Sequence, residues 1–183
     1  MNLLTVTNLS AGYAGKQVIK DISFFVAPKT IVGILGANGC GKTTLIKAIA
    51  NLLPHTGSCQ LDDTYLENAS PKQLALLCGY IPQKSGISID VTLLDVVLMG
   101  FNPKLSLLQA PTEQMKKEAF DALCSVGLGS RKDHNFQQLS EGQKQLCLLA
   151  RTFVLKRRLL LLDEPFSALD FQTRLAVCDD VWT

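Results

Sequence analysis

No stretch of this chain comes near the uninterrupted run of about 18 to 20 apolar residues that a membrane-spanning helix needs. The greasiest long segment is broken by Asp95. The chain is therefore not expected to cross a bilayer by itself. The N-terminus, MNLLTVTNLS, has neither a basic start nor an apolar centre, so no export signal is expected. The six cysteines (Cys40, Cys59, Cys78, Cys124, Cys147, Cys178) contain no C-x-x-C pair, which argues against a zinc site and fits reduced cytosolic thiols. Excess charge is lacking too. A formal net charge of +2 gives no electrostatic case for nucleic acid, and the one basic cluster, Lys156 to Arg158, reads as the solvated end of a helix.

What the sequence does have is apolar material. Hydrophobic residues make up 47% of the 183, enough for a packed core in one domain with room for a subdomain. The rest is organised around Ile31 to Leu53, IVGILGANGCGKTTLIKAIANLL. Ile31, Val32, Ile34 and Leu35 read as a buried parallel strand. Leu45, Ile49, Leu52 and Leu53 follow helical spacing up to Pro54. Between them Gly36, Gly41, Lys42 and Thr43 fit G-x-x-x-x-G-K-[ST]. Glycines tolerate φ > 0, so successive N–H groups can turn inward around a phosphate at the helix N-terminus. Lys42 then supplies a mobile charge to the outer phosphates, and the Thr43 hydroxyl can ligate Mg²⁺.

Residues 2 to 9 alternate loosely and predict a strand. Gly12 and Gly15 bracket a turn, and Val18 to Val26 predicts a second strand. Tyr13, alone in that turn, can pack on the domain edge or offer its face to a base; spacing favours packing. HTGSCQLDD carries a turn and a short strand, and Pro71 to Leu77 a short helix opened by Ser70. Cys78 to Pro82 is a strand ending at Gln83, which by itself reads as an ordinary loop glutamine. From residue 90 the pattern becomes helical. Val91 to Met99 and Thr112 to Val126 predict helices separated by a loop with Pro103 and Pro111. The cluster Leu93, Leu94, Val97, Leu98 and Phe101 reads as core, with a docking surface as the alternative.

Leu139 to Gln143, LSEGQ, opens a helix with the apolar stripe Leu146, Leu149, Ala150 and Phe153. Ser140 is a natural N-cap, and Gln143 three residues on completes a capping box. Gly142 is a poor helix former, which hints at close ligand approach to a second anion-binding helix end. Leu159 to Leu162 predicts a strand buried on both faces, with Asp163 and Glu164 at its C-terminal end, where open α/β sheets bind ligands. Neighbouring strand residues face opposite ways. Asp163 can thus hold Mg²⁺ while Glu164 polarises a water in line with a γ-phosphate; the alternative is that both merely cap the next turn.

Taken together these motifs resemble the ATPase subunit of an ATP-binding cassette (ABC) transporter. GANGCGKTT (36 to 44) matches the family's Walker A, LSEGQ its signature motif, LLLLDE (159 to 164) its Walker B and SALD (167 to 170) its D-loop, in family order. The resemblance implies an α/β fold: a P-loop NTPase (RecA-like) core with a mostly parallel sheet, an N-terminal antiparallel β subdomain and an inserted α-helical subdomain. The expected organisation of the cassette, 1–183, is a β-rich part in 1–30 and 55–67, an ATPase core in 31–54 and 146–183, and a helical insertion in 88–145. It implies ATP and Mg²⁺ as ligands, with Glu164, Lys42 and Gln83 catalytic. Nucleotide would be held by Tyr13 against the adenine and by Gly36, Asn38, Gly39, Cys40, Gly41, Lys42, Thr43 and Thr44. Ser140, Gly142, Gln143 and Asp170 would serve across a dimer, and Thr43, Gln83 and Asp163 would hold the metal. Implied partners are a second ATPase subunit, an integral membrane permease and, indirectly, an extracytoplasmic solute-binding protein, with no nucleic acid. The implied location is peripheral, on the cytoplasmic face of the membrane.

The run 97 to 128 is similar to the importer branch for ferric siderophores, haem or cobalamin, with metal-ion importers close behind. Glu141 stands where the family most often has glycine, and Phe166 where it has a small polar residue. The family continues past the D-loop to a further strand and a switch-loop histidine, whereas the two histidines here, His55 and His134, precede Leu159. The expectation is a cassette incomplete at its C-terminus, with apolar sheet edge exposed. A truncated cassette that binds nucleotide without significant hydrolysis is one alternative. A soluble ABC-type ATPase uncoupled from transport is another, although no coiled coil, duplicated cassette or basic face favours it. A P-loop kinase would leave LSEGQ unexplained.

Overall fold

The structure is a computed structural model and describes residues 2–83, 86–106 and 108–164. These fall into two units, one running to Ala75 and the other starting at Leu76. The first is built on a four-stranded antiparallel sheet in the order β2-β1-β3-β4, from β1 (Leu4–Tyr13), β2 (Lys16–Val26), β3 (His55–Leu61) and β4 (Thr64–Tyr65). Strand β1 runs four residues beyond the expected end because Ala14 and Gly15 make the whole turn. Both have positive φ, 49° and 79°, as a tight two-residue hairpin requires. Tyr13 therefore lies in the strand, opposite Lys16, and not in the turn. The loose alternation of β1 also has a cause. Leu4 and Val6 are buried two apart, then Leu9 three further on, because the register slips between Val6 and Leu9 around Asn8, whose φ is 48°. Such a bulge re-phases a strand's faces.

Helix α1 (Lys42–Ile49) packs against β1 and buries Leu45, Ile46, Ala48 and Ile49. It stops before the expected Pro54. Asn51 takes the left-handed conformation (φ 54°), with its N–H on the Ala48 carbonyl at 3.0 Å and the Leu52 N–H on the Lys47 carbonyl at 2.8 Å. That pair of bonds is a Schellman stop, and asparagine tolerates the left-handed position it needs.

The largest correction concerns Ile31 to Leu35. These residues form no strand, and they are exposed: Ile31 66%, Val32 53%, Ile34 37% and Leu35 94%. Their β-branched composition favours β structure, but a parallel strand exists only when neighbours satisfy its N–H and C=O groups on both sides. No described strand pairs with this segment.

The second unit begins within α2 (Pro71–Leu77), opened by Ser70 as expected, its hydroxyl accepting from the Gln73 N–H at 3.3 Å. Strand β5 (Cys78–Ile81) pairs in parallel with β6 (Leu159–Leu162), Ile81 opposite Leu162. Strand β6 is not buried on both faces, since Leu160 is 39% exposed; with β5 as its described neighbour, four consecutive leucines outrun the surface available to cover them. Helices α3 (Leu93–Leu98), α4 (Glu113–Ser125) and α5 (Glu141–Phe153) enclose a core with Leu93, Val96, Val97, Phe101, Leu123 and Phe136 at its centre. Leu94 and Leu98 pack against it half-buried, so this cluster is mainly core. The segment after α3 continues as a 3₁₀ helix (Met99–Lys104) through Pro103 where a loop was expected.

Candidate functional site

The glycine loop takes its shape from two residues that only glycine fits well. Gly39 has φ 80° and Gly41 φ 103°, backbone that costs L-residues strain. Gly41 is also the N-cap of α1, so the loop runs directly into the half-buried first turn of the helix. A Cβ on Gly39 would meet nothing within 4 Å, whereas one on Gly41 would lie 2.8 Å from Ile19 Cγ2 and 3.2 Å from Val18 Cγ1. Asn38, Gly39 and Cys40 are exposed. Lys42 folds back over the loop, its Nζ donating to the carbonyls of Gly36 at 3.0 Å and Ala37 at 3.1 Å. An ammonium has three protons, which leaves one donor direction, beside a helix N-terminus, for an anion. Thr43 is half-buried and Thr44 buried. In the same unit Tyr13 is 45% exposed, compatible with edge packing and with an accessible ring face.

The second unit gathers the acids. Strands β5 and β6 are parallel and in register, so their C-terminal ends coincide, and the residues just past them, Gln83 and the pair Asp163–Glu164, become neighbours. Gln83 Nε2 donates to Glu164 Oε2 at 2.8 Å, so Gln83 is more than an ordinary loop residue. The two acids part company just past the strand, where Glu164 leaves the extended backbone: Asp163 is buried at 3% exposure, while Glu164 is exposed. A buried carboxylate is costly unless hydrogen-bonded; the Tyr80 hydroxyl donates to Asp163 Oδ2 at 3.5 Å, and the Asp163 N–H is bonded to the Ile81 carbonyl at 3.0 Å. Glu164 has φ 51°, an uncommon backbone conformation for a non-glycine residue and one found at sites where geometry is imposed by surroundings.

The third element is the N-terminus of α5. Ser140 caps it, its Oγ accepting from the Gln143 N–H at 3.3 Å while Gln143 Oε1 accepts from the Ser140 N–H at 3.2 Å. The capping box is as expected. Glu141 occupies the first turn, where its charge suits the helix dipole, and pairs with Lys144 at 2.8 Å. Ser140 and Glu141 are exposed, Gly142 and Gln143 half-buried. Asp170 and the rest of 167–170 lie outside the described residues.

Among the described residues no cluster of three or more His, Cys, Asp or Glu side chains is placed to hold a metal ion. In the second unit Gln83 and Asp163 offer an amide oxygen and one carboxylate, and in the first Thr43 offers a hydroxyl, each an oxygen donor of the kind Mg²⁺ takes. Burial pushes the Cys147 thiol up to about 12 and the Cys78 thiol up to about 11, only partly offset by the charges of Arg151 and Arg157. Three polar residues escaped the sequence reading: Tyr80, Gln137 and Gln145.

Known proteins share both the sequence and the fold of this chain. The family described as ABC transporter matches residues 19–167. A protein of Helicobacter pylori named as an iron chelatin transport ATP-binding protein is 39% identical over 184 residues, covering 98% of this chain and 71% of that relative. A hemin import ATP-binding protein of Bordetella parapertussis is 36% identical, covering 91% of this chain and 66% of the relative. A manganese transport system ATP-binding protein of Bacillus subtilis is 35% identical, covering 93% and 67%. Among solved structures, an inward-facing metal-chelate type ABC transporter superposes with TM-score 0.82 at 28% identity over 99% of this chain and 67% of that one. A nucleotide-free ATP-binding cassette at TM-score 0.86 and 23% identity supports the fold alone. The family match over residues 19–167 and the similarity to these ATP-binding subunits across most of the chain show that it belongs to the ABC transporter family of ATP-binding subunits and is an ABC-type ATPase.

Proposed function

We propose that this chain hydrolyses Mg·ATP to power membrane import of an iron chelate or a related metal nutrient. The observation that carries the catalytic part is the contact of Gln83 with Glu164 beside the buried Asp163, three oxygen-bearing side chains at the end of one parallel strand pair. On this reading the Gly36–Thr44 loop and Lys42 bind the phosphates, and Tyr13 stacks on the adenine. Glu164 orients a water and takes its proton as the water oxygen bonds to the γ-phosphorus and the bond to the β-phosphate oxygen breaks, giving ADP and phosphate. Mg²⁺, held by Thr43, Gln83 and Asp163, would supply charge neutralisation at the phosphate oxygens. Ser140, Gly142, Gln143 and Asp170 would act on nucleotide bound to a second subunit, so that ATP closes a dimer and hydrolysis opens it. The partner that turns closure into transport is an integral membrane permease served by an extracytoplasmic solute-binding protein, with this subunit peripheral on the cytoplasmic side. Within the cassette, 31–54 with 146–183 would form the ATPase core, 1–30 with 55–67 the β-rich part and 88–145 the helical insertion.

The choice of cargo rests on the relatives named for iron chelatin, hemin and manganese. The test is steady-state Mg·ATP turnover by the purified chain beside Glu164→Gln prepared identically. Removing a general base typically lowers the rate by about 10²- to 10⁴-fold, so the variant should bind ATP normally and lose nearly all turnover. Equal turnover in the two proteins would remove Glu164 from its role, and ATP binding with no turnover by either would reduce the chain to a nucleotide-binding module.

A further inference from the structure

The strand that leads to Gln83 also carries a tyrosine whose hydroxyl meets the buried acid. Tyr80 lies opposite Leu161 in the parallel pair of β5 and β6, and residues paired across adjacent strands present their side chains on one face. The ladder runs one bond past β6, with the Asp163 N–H on the Ile81 carbonyl at 3.0 Å. Asp163, two residues beyond Leu161, therefore comes up on the Tyr80 face. There the Tyr80 hydroxyl donates to Asp163 Oδ2 at 3.5 Å. The opposite face of β5 is pinned. A Cβ on Gly79 would lie 2.7 Å from Leu160 Cδ2 and 3.0 Å from Arg157 Cδ, and Arg157 Nη1 donates to the Thr152 carbonyl at 2.8 Å. Ile81, on that same face, is 1% exposed and belongs to the helical core. The tyrosine thus reaches the acid from a strand with little room to shift.

A phenylalanine at position 80 would cover the same neighbours, so what tyrosine adds is one hydroxyl. Asp163 is 3% exposed, and a carboxylate that deep in the protein is stabilised by the hydrogen bonds it accepts. A neutral O–H engages one oxygen and leaves the carboxylate with its charge and with lone pairs to spare. An oxygen ligand to a hard cation needs both of these. Hydrogen-bond partners one shell outside a cation orient the ligand and raise affinity, and their loss typically costs about 10- to 100-fold.

We propose that Tyr80 is a positioning residue: its hydroxyl sets the orientation of the Asp163 carboxylate and, through it, the strength with which a divalent cation is held at the nucleotide phosphates. The inference rests on the reading of Asp163 as a cation ligand and adds to it a residue from a second strand that acts through that carboxylate.

The test uses the full chain with Tyr80→Phe, Asp163→Asn and the double variant, all near-isosteric changes. Affinity for a non-hydrolysable ATP analogue is measured by calorimetry in EDTA and again with Mn²⁺, and the bound Mn²⁺ is followed by electron paramagnetic resonance. Tyr80→Phe should leave the metal-free affinity unchanged, reduce the gain brought by Mn²⁺ about tenfold and alter the line shape of the bound ion. In the Asp163→Asn background the same change should do nothing further, because its effect passes through that carboxylate. The inference is overturned if Tyr80→Phe lowers the thermal midpoint while the Mn²⁺ gain stays intact, or if it costs the same in both backgrounds. Should Asp163→Asn remove the gain and Tyr80→Phe leave it untouched, the inference alone fails. Should Asp163→Asn leave the gain intact, or the native chain show no response to Mn²⁺, the reading of Asp163 fails and the inference with it.

Discussion

Replacing Gly41 by alanine, beside the same change at Gly39, separates two reasons for a glycine in the phosphate loop. Both residues have positive φ, 103° and 80°. For alanine that conformation costs about 1–2 kcal/mol, offset by about 0.4–1 kcal/mol from the smaller entropy of the unfolded chain. Gly39→Ala meets no atom within 4 Å, so its net loss should be about 1 kcal/mol. Gly41→Ala must also push its methyl group into Ile19 Cγ2, 2.8 Å away, and Val18 Cγ1, 3.2 Å away. Ile19 is a buried β-branched residue at 7% exposure and cannot swing aside. Overpacking of that kind adds about 1–3 kcal/mol, for a total of about 2–4 kcal/mol. With a urea slope of about 2–3 kcal/mol/M for a chain of this size, the midpoint should fall by about 0.4 M in Gly39→Ala and by about 0.7–2 M in Gly41→Ala. Urea titrations followed by far-ultraviolet circular dichroism measure both. Equal midpoints for the two variants would refute the steric part of the argument, leaving backbone conformation alone.

Further outcomes follow from the thiols and the acids. In a Cys178→Ser background, exposed Cys40 and Cys124 should react with an aromatic disulfide reagent in the native state, while buried Cys59 and Cys147 react only after unfolding; ATP should protect Cys40 and not Cys124, and no protection would count against nucleotide in the glycine loop. Cys147 is raised in the fold from 9.0 to about 12, so the native state holds the proton more tightly than the unfolded chain. Its contribution to stability is complete below pH 9 and is lost as the pH climbs from about 9 to 12. Cys147→Val should flatten that part of the stability–pH curve, and an unchanged slope would dismiss the thiol as its source.

Much of the local structure is written in short-range chemistry. The capping box of α5 and the Ser70 opening of α2 follow from side chains within three or four residues of each other, and both appear where the sequence places them. Gly39, Gly41 and Lys42 belong to this class, since a left-handed backbone and a reachable pair of carbonyls are local requirements. Tertiary structure decided what depends on partners far along the chain. Ile31 to Leu35 reads as a buried strand by composition yet stays irregular and exposed, because a strand is a relation between segments and not a property of one. The phase of β1 hangs on a bulge at Asn8 that no alternation rule announces. Gln83 reads as an ordinary loop residue until the register of β5 on β6 brings it to Glu164, 81 residues away. Gln145 was hidden for a similar reason: one carboxamide beside an apolar stripe looks like a surface residue until folding buries it against the carbonyl of Gln83.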